Sequence, residues 1–136
     1  MPGAGAGVPN WESVADMVDV LILSLDTTLA GLLRLNLERR GFGVRHQVWA
    51  ACCGVGKATV EAADLVIADL DCPPPAWLNG TRRLRALFPF HPLVLLGHDW
   101  PDAQMIEACG PCRYLQKPFA IQDFINGVVA LVSSKS

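Results

Sequence analysis

Nowhere in these 136 residues does an apolar run approach the roughly 18 residues of a membrane-spanning helix. The mean hydropathy of +0.32 is therefore assigned to a core, and no membrane association is expected. A basic excess is absent as well: Lys and Arg number 11 against 13 Asp and Glu, for a net charge of -2. Proteins that grip nucleic acid through its phosphates carry the opposite balance, so direct nucleic-acid binding by this domain is not expected. No Lys or Arg precedes Arg34, so the basic opening of a secretory signal is missing. The five cysteines (Cys52, Cys53, Cys72, Cys109, Cys112) lack the even number and regular spacing of a disulfide framework. They are expected to be reduced thiols in a cytoplasmic chain.

What the chain has instead is apolar residues, 51% of the total, at a length that suits one domain with a real core. Residues 1–17, rich in Gly, Ala and Pro and without apolar periodicity, read as a flexible leader. Residues 18–133 read as one domain, and 134–136 as a stub of linker before any further domain.

Short apolar runs alternate with helical patterns along that domain. VDVLILSL from Val18 reads as a buried first strand. Thr27 and Thr28 offer N-capping hydroxyls to a helix with Leu29, Leu32, Leu33 and Leu37 on one face, stopped by Gly41. Val44 to Trp49 reads as a second strand, Lys57 to Ala63 as a short helix, and LVIAD, Leu65 to Asp69, as a third strand ending in a carboxylate. After Pro73, Pro74 and Pro75 come a helix from Trp77 to Phe88, a strand from Pro92 to Gly97 and a helix from Pro101 to Ala108. A short strand from Tyr114 to Gln116 and an amphipathic helix from Ile121 to Val132 follow. Strands this apolar, each followed by a helix, predict an α/β domain with a single doubly wound (βα)5 parallel sheet. Ligands of such sheets sit at the carboxyl ends of the strands: here Ser24 to Asp26, Asp69 to Asp71, Gly97 to Asp99, and Lys117.

With LERRGF (Leu37 to Phe42), DLVIADLDCP (Asp64 to Pro73) and YLQKPF (Tyr114 to Phe119), the stretch from Val20 to Val132 resembles a response-regulator receiver domain. The resemblance implies a flavodoxin-like fold with strand order 2-1-3-4-5 and a non-enzymatic role in two-component phosphorelay signalling. It places Asp69 at the position that accepts a phosphoryl group from a histidine kinase. Lys117 falls at the phosphate-contacting position, Pro118 at a cis-proline and Tyr114 at the switch aromatic. An ammonium opposite an Asp can neutralise charge on the transferring oxygens.

The sequence also departs from the family pattern. Counting back from Gly41, the adjacent acidic pair that would hold Mg²⁺ is replaced by Ser24 and Leu25. Mg²⁺ needs oxygen ligands and is commonly held by one or two carboxylates, so a Leu there weakens the site strongly. The strand-four Ser or Thr is replaced by Gly97. Asp26, next after that pair, and Asp71, two beyond Asp69, are substitute carboxylates that could restore a Mg²⁺ site; Asp26 also reads as a helix N-cap.

The leading expectation is thus a pseudo-receiver that acts through protein contacts, with a functional phosphoacceptor receiver as the alternative. Its partners would be a histidine kinase, another signalling protein or an effector domain. By resemblance, a homodimer would use the fourth helix, fifth strand and fifth helix.

A second class of function is raised by Cys109-Gly110-Pro111-Cys112, the CGPC of thiol-disulfide oxidoreductases. A thioredoxin site opens a long helix, whereas this one leads into a strand, so incidental cysteines are expected. A zinc site adding His98 and Asp99 lacks a second tight ligand pair. Gly54 to Thr59 hints at a P-loop but has Ala51 and Ala58 where Gly and Ser or Thr are required. Arg82, Arg83 and Arg85 read as a solvated helix face, Trp49, Trp77 and Trp100 as partly buried edges, and His46 and His91 carry no assigned role.

Overall fold

A computed structural model describes residues 18–49, 63–70, 74–110 and 112–135. In chain order it contains β1 (Asp19–Leu23), α1 (Thr27–Glu38), β2 (Gly43–Gln47) and β3 (Leu65–Asp69), then a 3-10 turn (Pro74–Ala76). There follow α2 (Trp77–Leu87), β4 (Leu93–Gly97), α3 (Ala103–Cys109), β5 (Cys112–Gln116) and α4 (Ile121–Lys135). The leader, most of the expected helix from Lys57 to Ala63, the residues 54–59 and Cys52, Cys53, Cys72 and Asp71 lie outside the described residues.

All strand pairs are parallel, and the five-stranded sheet has the order β2-β1-β3-β4-β5. Successive residues of a strand face opposite sides, which divides the core in two. Val20, Ile22, Leu65, Ile67, Val94 and Leu96 pack beneath Ala30, Leu33 and Leu37 of α1 and Phe124, Ile125 and Val128 of α4. Leu21, Leu23, Val66, Ala68, Leu93 and Leu95 pack against Trp77 and Leu84 of α2, and Met105 and Cys109 of α3. Each large apolar side chain buried this way contributes about 1.5–3 kcal/mol relative to exposure. Among the described residues no helix is long and apolar enough to cross a membrane.

Several element ends differ from the sequence expectation. β1 stops at Leu23: Ser24 makes one further backbone bond to Gln47 (3.2 Å), and its Oγ then accepts from the Asp26 amide at 2.9 Å as the chain turns toward α1. The Asp26 N-cap reading holds, and Thr27 and Thr28 do not take that role: the Asp26 carboxylate accepts from the Leu29 amide at 2.9 Å. Asp102 caps α3 in the same way, accepting from the Met105 amide at 2.9 Å, so the helix begins after Pro101. β5 begins earlier than expected, at Cys112, in register with Leu93 of β4.

Candidate functional site

The parallel strands finish along one edge of the sheet, and the side chains that follow them converge there. β3 ends on Asp69, which is 1% exposed. A carboxylate this deep is tolerated only when hydrogen-bonded or paired, and both oxygens are. The Ser24 hydroxyl donates to Oδ2 at 3.1 Å, and the Lys117 ammonium donates to Oδ1. Ser24 is held in turn, its Oγ accepting from the Asp26 amide at 2.9 Å and its carbonyl lying 3.0 Å from His46 Nε2. Lys117 follows β5; its amide donates to the Gly97 carbonyl at 2.6 Å, and its peptide bond to Pro118 is cis. Leu25 points to the surface and Asp26 is spent on capping α1.

Gly97 lies beside Tyr114. A Cβ built on this glycine would stand 2.6 Å from the Tyr114 phenol oxygen and 2.9 Å from the Trp77 ring, so no larger residue fits without a shift. The Tyr114 ring sits between two indoles, with centroids 5.7 Å from Trp77 and 6.2 Å from Trp100. Its hydroxyl donates to the Asp99 carbonyl oxygen. Burial, aided by the nearby Asp99 carboxylate, pushes the phenol up to about 12 from 10.0.

No protein-family model matches the chain. A two-component response regulator from Clostridium difficile superposes with a TM-score of 0.70 at 19% identity, covering 88% of this chain and 98% of that one. The chemotaxis response regulator CheY4 of Vibrio cholerae gives 0.66 at 19% identity, over 84% and 98%. The fold is that of a response-regulator receiver domain. In sequence, the chain is 30% identical over 121 residues to the DNA-binding dual master transcriptional regulator RpaA of a Synechocystis species. That alignment takes in 85% of this chain but 49% of the relative, so the chain spans about half the length of the curated relative it matches.

The receiver fold implies a Mg²⁺ ion at the strand ends, held by acidic residues there. Mg²⁺ demands near-octahedral oxygen coordination. The described site has one buried carboxylate, already divided between a hydroxyl and an ammonium, while Asp26 is committed to the helix start. Among the described residues no group of three His, Cys, Asp or Glu could hold a metal ion. These residues do not fit a Mg²⁺ site.

Three expectations fail elsewhere. Cys109 and Cys112 form a disulfide rather than staying reduced. Gly110 at a φ of 69° reverses the chain after α3 and leaves the two Cα atoms 6.1 Å apart, within bridging range. An odd cysteine count argues against a framework but does not bear on a local pair closed by one turn. Cys109 Sγ belongs to a residue that is 1% exposed, which counts against a turnover thiol. Arg85 is not part of a solvated face: its guanidinium donates to the carbonyls of Cys109, Phe88 (3.1 Å) and His91 (2.7 Å). Nothing in the spacing of three arginines separates the one that turns inward. The tryptophans are not partly buried edges: Trp49 and Trp77 are buried in the core and Trp100 is 73% exposed.

Proposed function

We infer that this domain is a receiver-type signalling module of the pseudo-receiver kind. It works through protein contacts, and Mg²⁺-dependent phosphoryl transfer to Asp69 is impaired. The observation that carries this reading is the closed pairing of Asp69 with Ser24 and Lys117. A receiver acid has to face a cation and an incoming phosphoryl group, whereas both oxygens of Asp69 already have donors, one of them from the position where a metal-binding acid is expected. The position of Tyr114 supports the same reading, because its phenol oxygen stands where the side chain of a Ser or Thr at position 97 would begin.

The role is non-enzymatic and set in the cytoplasm. The partners are a histidine kinase or another signalling protein, or an effector domain; the RpaA relative, described as a DNA-binding regulator, fits the last. Trp100, 73% exposed, and Ile106, 57% exposed, put apolar surface at α3, on the side proposed for contact with a partner or a second copy.

The alternative, a working phosphoacceptor receiver modified by a histidine kinase, draws on the Asp69–Lys117 pair at the strand ends. Incubation with acetyl phosphate or beryllofluoride and Mg²⁺ separates the two. The pseudo-receiver reading expects no stoichiometric adduct by intact mass; an adduct on Asp69 that Asp69→Asn abolishes would establish the alternative.

A further inference from the structure

α3 is a helix of seven residues, two turns, too short to be stable by itself. Only two of its side chains, Met105 and Cys109, are buried. The other fastenings are at its ends: the Asp102 cap at the start, and at the finish the Arg85 guanidinium on the Cys109 carbonyl together with the Cys109–Cys112 disulfide. The bond ties the last residue of α3 to the first residue of β5, whose side chain faces the same layer as Tyr114 two residues on. One of the two buried anchors of α3 is thus half of a covalent bond that a reductant can open. The two ends of that bond also differ in access, Cys109 being 1% exposed and Cys112 half-buried.

We propose that Cys109–Cys112 is a reversible thiol-disulfide site, taken by a dithiol reductant, whose oxidation state sets how firmly α3 is docked. In the reductive direction a thiolate of the dithiol attacks Sγ of Cys112, the less buried of the two residues. The Sγ–Sγ bond breaks, a mixed disulfide forms, and Cys109 leaves as a thiolate that takes up a proton. The second thiol of the reductant then displaces Cys112, which is protonated in turn. The products are two cysteine thiols and the reductant as its own disulfide, two electrons having passed to the protein.

Opening the bond frees the Gly110 turn from its covalent clasp and leaves α3 held at its C-terminal end by Arg85 and the packing of the Cys109 thiol. α3 and its approach carry the exposed Trp100 and Ile106, so the bond controls the order of that apolar surface. The site is independent of Asp69: none of its groups contributes to the Ser24, Asp69 and Lys117 arrangement.

The test uses the full chain equilibrated in reduced and oxidised dithiothreitol at graded ratios, with alkylation mapped by peptide mass and hydrogen exchange followed by segment. The proposal expects Cys109 and Cys112 to become alkylated together at one reversible midpoint. Exchange across residues 102–109 should then be faster by at least about tenfold while α4 is unchanged. C112S should exchange at the fast rate in both buffers. Alkylation of either cysteine under fully oxidising conditions overturns the proposal, as does equal exchange of residues 102–109 in the two states. Loss of protection spread evenly over α4 and the sheet would also overturn it, since the bond would then hold the fold rather than a segment.

Discussion

Gly97 and Tyr114 share one space: a methyl group on the glycine would stand 2.6 Å from the phenol oxygen. The tyrosine ring contacts Trp77 and Trp100, and its hydroxyl, bonded to the Asp99 carbonyl, stands where a side chain at position 97 would begin. These neighbours and the Asp99 carbonyl are the contacts that orient the ring.

Restoring a side chain with Gly97→Thr should therefore destabilise the domain by about 1–3 kcal/mol, the usual cost of overpacking. Combined with Tyr114→Ala, the same substitution should cost less than the sum of the two single changes, with a coupling of roughly 0.5–3 kcal/mol. Urea unfolding of the four proteins completes the cycle; additive effects would mean that the two side chains do not compete.

Tyr114 is the sole tyrosine, so the tyrosinate absorbance band reports it alone. Its phenol should titrate well above 10.0, toward about 12, and Asp99→Asn should bring it down by removing part of the cause. The fold favours the neutral phenol. Its contribution to stability is complete below the ordinary value of 10.0 and is lost as pH rises toward about 12. A titration at the ordinary value in the folded protein would show that the ring is not caged.

The sheet was legible in the sequence because five short apolar runs, each followed by a helical pattern or turn signal, admit few other arrangements. Asp69, Lys117 and Gly97 were also legible as strand-end residues, since a carboxylate, an ammonium and a glycine stand out after such runs. What each one touches was not. Ser24 read as the absence of an acid, yet its hydroxyl is a partner of Asp69, a fact that depends on β1 and β3 lying side by side with Leu23 in register with Ala68. Trp77 and Trp100 lie far apart in sequence, yet both contact Tyr114. The disulfide depended on the backbone of Gly110, which residue counts do not encode.

Removing the cation from a buried pair should be far worse than removing the pair's charge altogether. Lys117→Met leaves the Asp69 carboxylate with Ser24 alone and should cost about 3–5 kcal/mol. Adding Asp69→Asn to it should recover most of that loss, because an amide oxygen still accepts the Ser24 hydroxyl and no charge stays buried. Denaturant unfolding near neutral pH measures both; equal losses in the single and double variants would mean that the pairing contributes nothing specific.

Rebuilding the acidic pair should create the metal dependence that the described residues do not support. In S24D/L25D, a second carboxylate replaces the hydroxyl now bonded to Asp69, so two like charges share one buried pocket when no cation is present. The variant should be less stable than the natural chain in metal-free buffer. Mg²⁺ bound only by the folded form raises stability with concentration, by about 2.7 kcal/mol at a hundredfold excess over Kd. The unfolding midpoint of S24D/L25D should thus climb through a Mg²⁺ series while that of the natural chain stays level. A natural chain whose midpoint climbs as steeply has a second carboxylate already beside Asp69, and the pseudo-receiver reading falls.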